Sequence, residues 1–238
     1  MTGNTNTIAV RRANERGLAD FGWLKSRHTF SFGEYYDTRF MGFRTLRVIN
    51  EDRVRGGEGF PTHPHRDMEI FSYVLEGSLA HRDSMGNERV LQPGQVQLMS
   101  AGRGVTHSEY NASADVETHF LQVWIQPNRK GLEPAYTEWH PGADQVGRDK
   151  VLIISPDGRD ASATIRQDAY VYRVRLAGGA SVTHDVAGGR GMWLQVMRGS
   201  VRLGAVRLDA GDGASTETAG ALTIEAERDA EALLFDLA

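Results

Sequence analysis

A repeated hairpin signature constrains this chain more than any other feature. Val74-Leu75-Glu76-Gly77-Ser78-Leu79 returns as Val196-Met197-Arg198-Gly199-Ser200-Val201, and Leu91-Gln92-Pro93-Gly94 returns as Leu208-Asp209-Ala210-Gly211. The two glycines stand 17 residues apart in the first copy and 12 in the second, so one hairpin is shorter. Self-similarity of this kind marks two units of one architecture. Strands are predicted over residues 28–32, 45–49, 68–75, 78–82, 88–91, 95–99 and 117–126, with Gly and Pro turns between many of them. Short alternating runs at roughly ten-residue spacing predict an all-β chain built as sandwich or barrel. Residues 127–147 carry Pro127, Pro134 and Pro141 and read as a connecting loop, while residues 1–10 read as frayed and 11–23 as a segment wrapping over a later surface. The expectation is two antiparallel β-barrels of the jelly-roll (double-stranded β-helix) type, one over residues 1–135 and one over 150–238.

Composition removes several classes of chemistry. With no cysteine among 238 residues, there is no disulfide, thiolate-bound zinc, iron–sulfur cluster or thiol nucleophile. A formal charge of −4 gives no basis for binding a phosphate backbone, so direct nucleic-acid contact is not expected. The first residues have neither a basic nor an apolar leader segment, and no apolar run reaches membrane-spanning length, which makes the cytoplasm the expected compartment and a membrane role unexpected.

Two short clusters carry ligand-type side chains. In Thr62-His63-Pro64-His65-Arg66-Asp67-Met68-Glu69 the two histidines are one residue apart, and about forty residues on His107-Ser108-Glu109 repeats that spacing. In an extended chain residues i and i+2 share a face, so each cluster presents two potential ligands side by side. His63, His65, His107 and Glu109 are therefore the candidate metal ligands. Three imidazoles and one carboxylate suit a redox-capable first-row ion better than Mg or Ca; Fe(II) is the first choice, with Mn, Cu, Ni and Zn as alternatives. An octahedral ion with four protein ligands keeps two positions open for substrate and dioxygen, whereas a closed tetrahedron would be structural. Glu69 shares strand parity with His63 and His65: it either orients an imidazole, contacts a substrate hydroxyl, or is a charge on the rim. Glu109 and Glu69 are the candidate catalytic bases. His28, His81, His119 and His140 have no partner at ligand spacing and read as structural or exposed. In the second copy the positions matching the imidazoles are Asp185 and Ala187, those matching the second cluster are Ile224 and Ala226, and His184 is one residue off; no metal is expected there.

The segment Gly57-x5-His63-x-His65-x3-Glu69-x7-Gly77 resembles the first cupin motif with one extra residue before its last glycine, and residues 94–111 resemble the second. Ser100 replaces the usual proline, and four residues rather than two separate Gly102 from His107. That departure, together with Ser26-Arg27-His28-Thr29-Phe30-Ser31-Phe32, Gly77-x3-His81-Arg82-Asp83-Ser84 and Phe120-Leu121-Gln122-x-Trp124, is similar to the pirin branch of the cupins. The likeness is close over residues 20–130 and looser over 150–238. It implies a bicupin with an iron-type metal in the N-terminal barrel only, held at His63, His65, His107 and Glu109. It also implies an oxidoreductase of the quercetin 2,3-dioxygenase kind, which opens a flavonol with O2 and releases carbon monoxide. Animal pirins look instead like redox-sensitive partners of transcription factors, so the alternative is a non-catalytic metal-binding regulator with a protein partner. A sugar-binding or isomerase cupin is a third reading.

Overall fold

The computed structural model describes residues 7–238 as strands, turns and two short 3-10 turns, with no α-helix among the described residues. No helix is long and apolar enough to cross a membrane. The chain forms two compact units: Gly17–Pro141 with Ser155–Asp168, and the residues up to Arg16 with Gly142–Ile154 and Ala169–Ala238.

The first unit stacks two antiparallel sheets. The larger, of seven strands, runs in the order Ala135–Trp139, Val96–Ser100, Glu69–Glu76, Thr118–Ile125, Leu46–Val54, Leu24–His28, Gly17–Asp20. The smaller has four, in the order Gly59–His65, Val105–Asn111, Leu79–Asp83, Glu88–Leu91. No hydrogen-bond ladder joins them, so the expected jelly-roll is present as a two-sheet sandwich and not as a closed barrel. Side chains between the sheets do the joining: Leu24, Val54, Val74 and Phe120 of one pack with Leu79 and Leu91 of the other.

In the second unit the strand Gly220–Leu237 is the spine. Its far half pairs with Ala169–Leu176, its near half with Ser181–Val186, and Gly191–Leu203 runs beside nearly its whole length. Gly213–Thr216 pairs with Gly191–Leu203 on one edge and with Ala9–Arg11 on the other. The fraying expected of residues 1–10 thus gives way to a strand from Ala9, and its first six residues lie outside those described.

The repeated signature has a backbone cause. Gly77 and Gly199 both sit at φ +72°, and at each a side chain would strike the backbone of the facing strand, at Glu117 and at Asp229. Left-handed φ and close approach together demand glycine, which is why the two copies share it.

Two expected elements differ. Strand 28–32 lies earlier, at Leu24–His28, because Ser26 and His28 fill inward positions opposite Asp52 and Asn50. The expected loop 127–147 contains the edge strand Ala135–Trp139, anchored by the buried ring of Trp139 and paired with Val96–Ser100. Pro134 and Pro141 flank it rather than interrupt it, where missing N–H groups cost no ladder bond.

Candidate metal centre

The site is a product of register in the small sheet. Val105–Asn111 lies between Gly59–His65 and Leu79–Asp83, so His107 stands opposite His63 on one side and Asp83 on the other. Glu109 stands opposite His81. A bulge between His107 and Glu109 shifts the pairing with Gly59–His65, which is the usual device for re-aiming side chains beside a site. Nitrogens of His63, His65 and His107 lie within 4.8 Å of one another, and so do ligand atoms of His81, His107 and Glu109. The imidazoles therefore converge as the spacing predicts, and Glu109 reaches the group through His107.

His63 donates from Nδ1 to the Pro61 carbonyl at 2.7 Å, which leaves Nε2 as the lone-pair nitrogen of the neutral ring. That Nε2 faces Nε2 of His107 at 3.1 Å. Two ring nitrogens held at right angles about 2.1 Å from a first-row ion would be about 3 Å apart, so the spacing fits a shared cation. Burial, reinforced by His107 and His63, lowers the pKa of His65 to about 4. Burial also pushes His107 down. Rings that resist protonation are the form that binds a metal.

Glu109 is fully buried. Burial alone would raise its pKa, but His107, His81 and the Ser72 hydroxyl outweigh that and hold it below the usual carboxylate range. Ser72 Oγ and Gln97 Nε2 donate to Oε1 at 2.8 and 2.9 Å, and Gln122 Nε2 donates to Oε2 at 2.8 Å. A carboxylate has about four lone-pair positions, so three donors orient it and leave one free for a cation. These donors come from the facing sheet, where Gln97, Ser72, Gln122, Asn50 and His28 form one cross-strand row over five adjacent strands. Sequence reasoning missed that row, because only the pairing register aligns residues so far apart in the chain.

Glu69 is placed elsewhere. It is buried rather than on a rim, accepts from Ser100 Oγ at 2.7 Å and from the Arg166 backbone N–H at 3.1 Å, and its pKa is raised by burial. It ties its strand to the segment around Arg166. His81 was the opposite miss. It has a partner at i+2, Asp83, whose carboxylate it meets at 3.1 Å with both side chains inaccessible. The same histidine-x-acid spacing as His107 and Glu109 was legible at His81 and Asp83. Asp83 is held below the usual range, against burial, by Asn87, His81 and the Met85 amide. Tyr136 stacks on the His81 ring at 5.2 Å. His119 pairs with Glu51 and His140 with Glu138, both structural contacts.

Beside the imidazoles opens a cavity of about 880 Å³, a size suited to a small organic ligand. His63 and His65 line it together with the aromatic walls Trp23, Phe32, Tyr35, Phe60 and Trp124. Trp124 meets the His65 ring edge-on at 4.9 Å and Phe32 at 5.3 Å, which sets an aromatic wall against the nitrogen cluster.

Comparison with known proteins agrees with this geometry. The family model described as Pirin matches residues 9–125, and that of the Quercetinase C-terminal cupin domain matches residues 152–237. A protein named quercetin 2,3-dioxygenase from Escherichia coli K12 is 47% identical over 230 residues, 97% of this chain and 98% of its own. The crystal structure of YhhW from Escherichia coli superposes with a TM-score of 0.94 at 46% identity, covering 98% of each chain. The bacterial pirin YhhW in complex with nickel(II) gives 0.92 at 46% identity, over 97% of this chain and 99% of that one. The two sandwiches are thus cupin-like, the first is equipped to hold a divalent metal, and the chain belongs to the pirin family.

Proposed function

We propose that this chain is a metal-dependent dioxygenase that cleaves flavonols of the quercetin type at the 2,3 bond with O2. His63, His65, His107 and Glu109 are the metal ligands and Fe(II) the working ion. The observation that carries the reading is the convergence of three imidazole nitrogens at the wall of an aromatic cavity, with a buried, triply hydrogen-bonded carboxylate behind them. The names of the near relatives support the same reaction.

A bound ion of this kind would supply Lewis acidity toward a phenolic oxygen and a one-electron path to O2. The protein's own part is physical. Trp23, Phe60 and Trp124 offer faces and edges against which a planar ring system packs, and their apolar surface excludes water from the reacting bond. Gln97, Ser72 and Gln122 fix the Glu109 carboxylate in one orientation. Glu109 serves as the anionic ligand: its carboxylate is kept ionised at neutral pH beside His107, and its three donors together with an ion would fill its lone-pair positions. Glu69 is already committed to Ser100 and Arg166, so its role in this reading is to tie strand to loop.

The test is direct. Iron-loaded protein mixed with quercetin in air is expected to bleach the flavonol absorbance, with no change under nitrogen. His65→Ala is expected to lose both the iron and the bleaching. Turnover by metal-free His65→Ala protein would overturn the assignment.

A further inference from the structure

We infer that Asp52 and Ser26 form a hydroxyl-binding subsite in the aromatic cavity, which takes an O–H of the ligand other than the one held at the imidazoles. The inference rests on the flavonol reading above and names what else the cavity recognises.

Asp52 stands on the inward face of Leu46–Val54, directly opposite Ser26 on the neighbouring strand, and both line the cavity. Asp52 is 2% exposed. Ser26 donates a hydrogen bond to it, yet Oδ1 meets no donor. Of the buried carboxylates among the described residues, it is the one with such an oxygen. Glu109 takes three donors, Glu69 two, Asp83 the Asn87 side chain and two backbone amides besides His81, and Asp236 is paired with Arg190 and His184. Buried polar atoms are ordinarily satisfied, and one left open on a cavity wall is where a ligand group completes the bonding. The chemistry of that group follows from the surroundings. Burial, with the negative charge of Glu109 and Glu51 nearby, raises the Asp52 pKa to about 7 against the opposing Ser26 bond. No cation pairs with Asp52 among the described residues, and Ser26, Asn50 and His28 share the cavity wall with it as further hydrogen-bonding groups. A neutral hydroxyl fits: it donates to the carboxylate form and accepts from the acid form, so the contact survives either state. A phenol fits best, since its ring continues into the aromatic cavity.

The experiment measures anaerobic binding of two flavonols to metal-loaded protein, so that no turnover intervenes. Quercetin carries hydroxyls around all its rings, and 3-hydroxyflavone carries only the one shared by all flavonols. Wild type is expected to bind quercetin more tightly. Asp52→Leu is expected to weaken quercetin about tenfold and leave 3-hydroxyflavone within about twofold. Asp52→Asn, which keeps shape and a polar atom, is expected to fall between, and serves if the leucine variant does not fold. A quercetin-to-3-hydroxyflavone ratio unchanged in both variants would overturn the subsite. If wild type binds neither flavonol, the substrate reading falls. The subsite is then decided by NMR titration with resorcinol, a non-chelating diphenol: binding lost in Asp52→Leu sustains it, and equal binding in wild type and variant overturns it.

Discussion

The two sandwiches share a hairpin grammar and differ in what faces inward. In the first, the row Gln97, Ser72, Gln122, Asn50 and His28 crosses the large sheet, and imidazoles project from the small one. In the second, the interior is closed by Val174, Leu176, Met192, Leu194, Leu222 and Ile224. Its buried histidine, His184, is spent on Asp236, which Arg190 also holds. Gly77 and Gly199 keep the same conformation in both, so the scaffold was retained while the interior was not. A fold supplies positions, and the residues at those positions decide whether they become a site or a core.

The comparison can be broken most severely at the imidazoles. His107→Ala is expected to abolish metal uptake altogether, whereas His184→Ala leaves the metal content of purified protein unchanged; metal analysis of the two variants checks both. A cavity cut into the apolar interior should give the reverse pattern. Leu194 is fully buried, so Leu194→Ala is expected to cost about 2–5 kcal/mol in denaturant unfolding while metal per folded chain stays constant.

A smaller effect separates the carboxylates. Asp52 holds its proton up to about pH 7 in the folded chain, against an ordinary value of 3.8. Its contribution to stability is therefore complete below pH 4 and is lost as pH rises toward 7 and beyond, because the unfolded chain releases that proton first. Asp52→Asn should flatten the decline between pH 4 and 8 by up to about 4 kcal/mol, read from unfolding midpoints across that range. Asp236 behaves oppositely: despite its burial, His184 and Arg190 hold its pKa below the ordinary value, so its contribution is lost only in acid. The smallest change is expected at Gln122→Leu, which removes one of three donors to Glu109 and should cost about 1–2 kcal/mol in unfolding free energy.

How much of this was legible depends on distance along the chain. His63 with His65, and His107 with Glu109, are local pairs, and period-two geometry is enough to see them. The doubled architecture was legible from the paired glycine turns. The polar row was not, since its members lie on five strands and only long-range pairing aligns them. Asp52 was invisible for the same reason: beside Glu51 and Arg53 it reads as part of a charged, solvated stretch. For Glu69, strand parity fixes a face but not what that face meets, which is Ser100 and the Arg166 amide. Strand Ala135–Trp139 was hidden by its flanking prolines, which weaken a local signal although the tertiary anchor is Trp139.

One ion is expected in the first sandwich, held by His63, His65, His107 and Glu109. The most direct measurement is a crystal structure of the iron-loaded protein with anomalous scattering recorded at the iron edge. A single anomalous peak is expected, about 2.0–2.3 Å from a nitrogen of each of the three histidines and from a Glu109 oxygen. A peak ligated by His81 in place of His63 and His65, or one lying in the second sandwich, would contradict it.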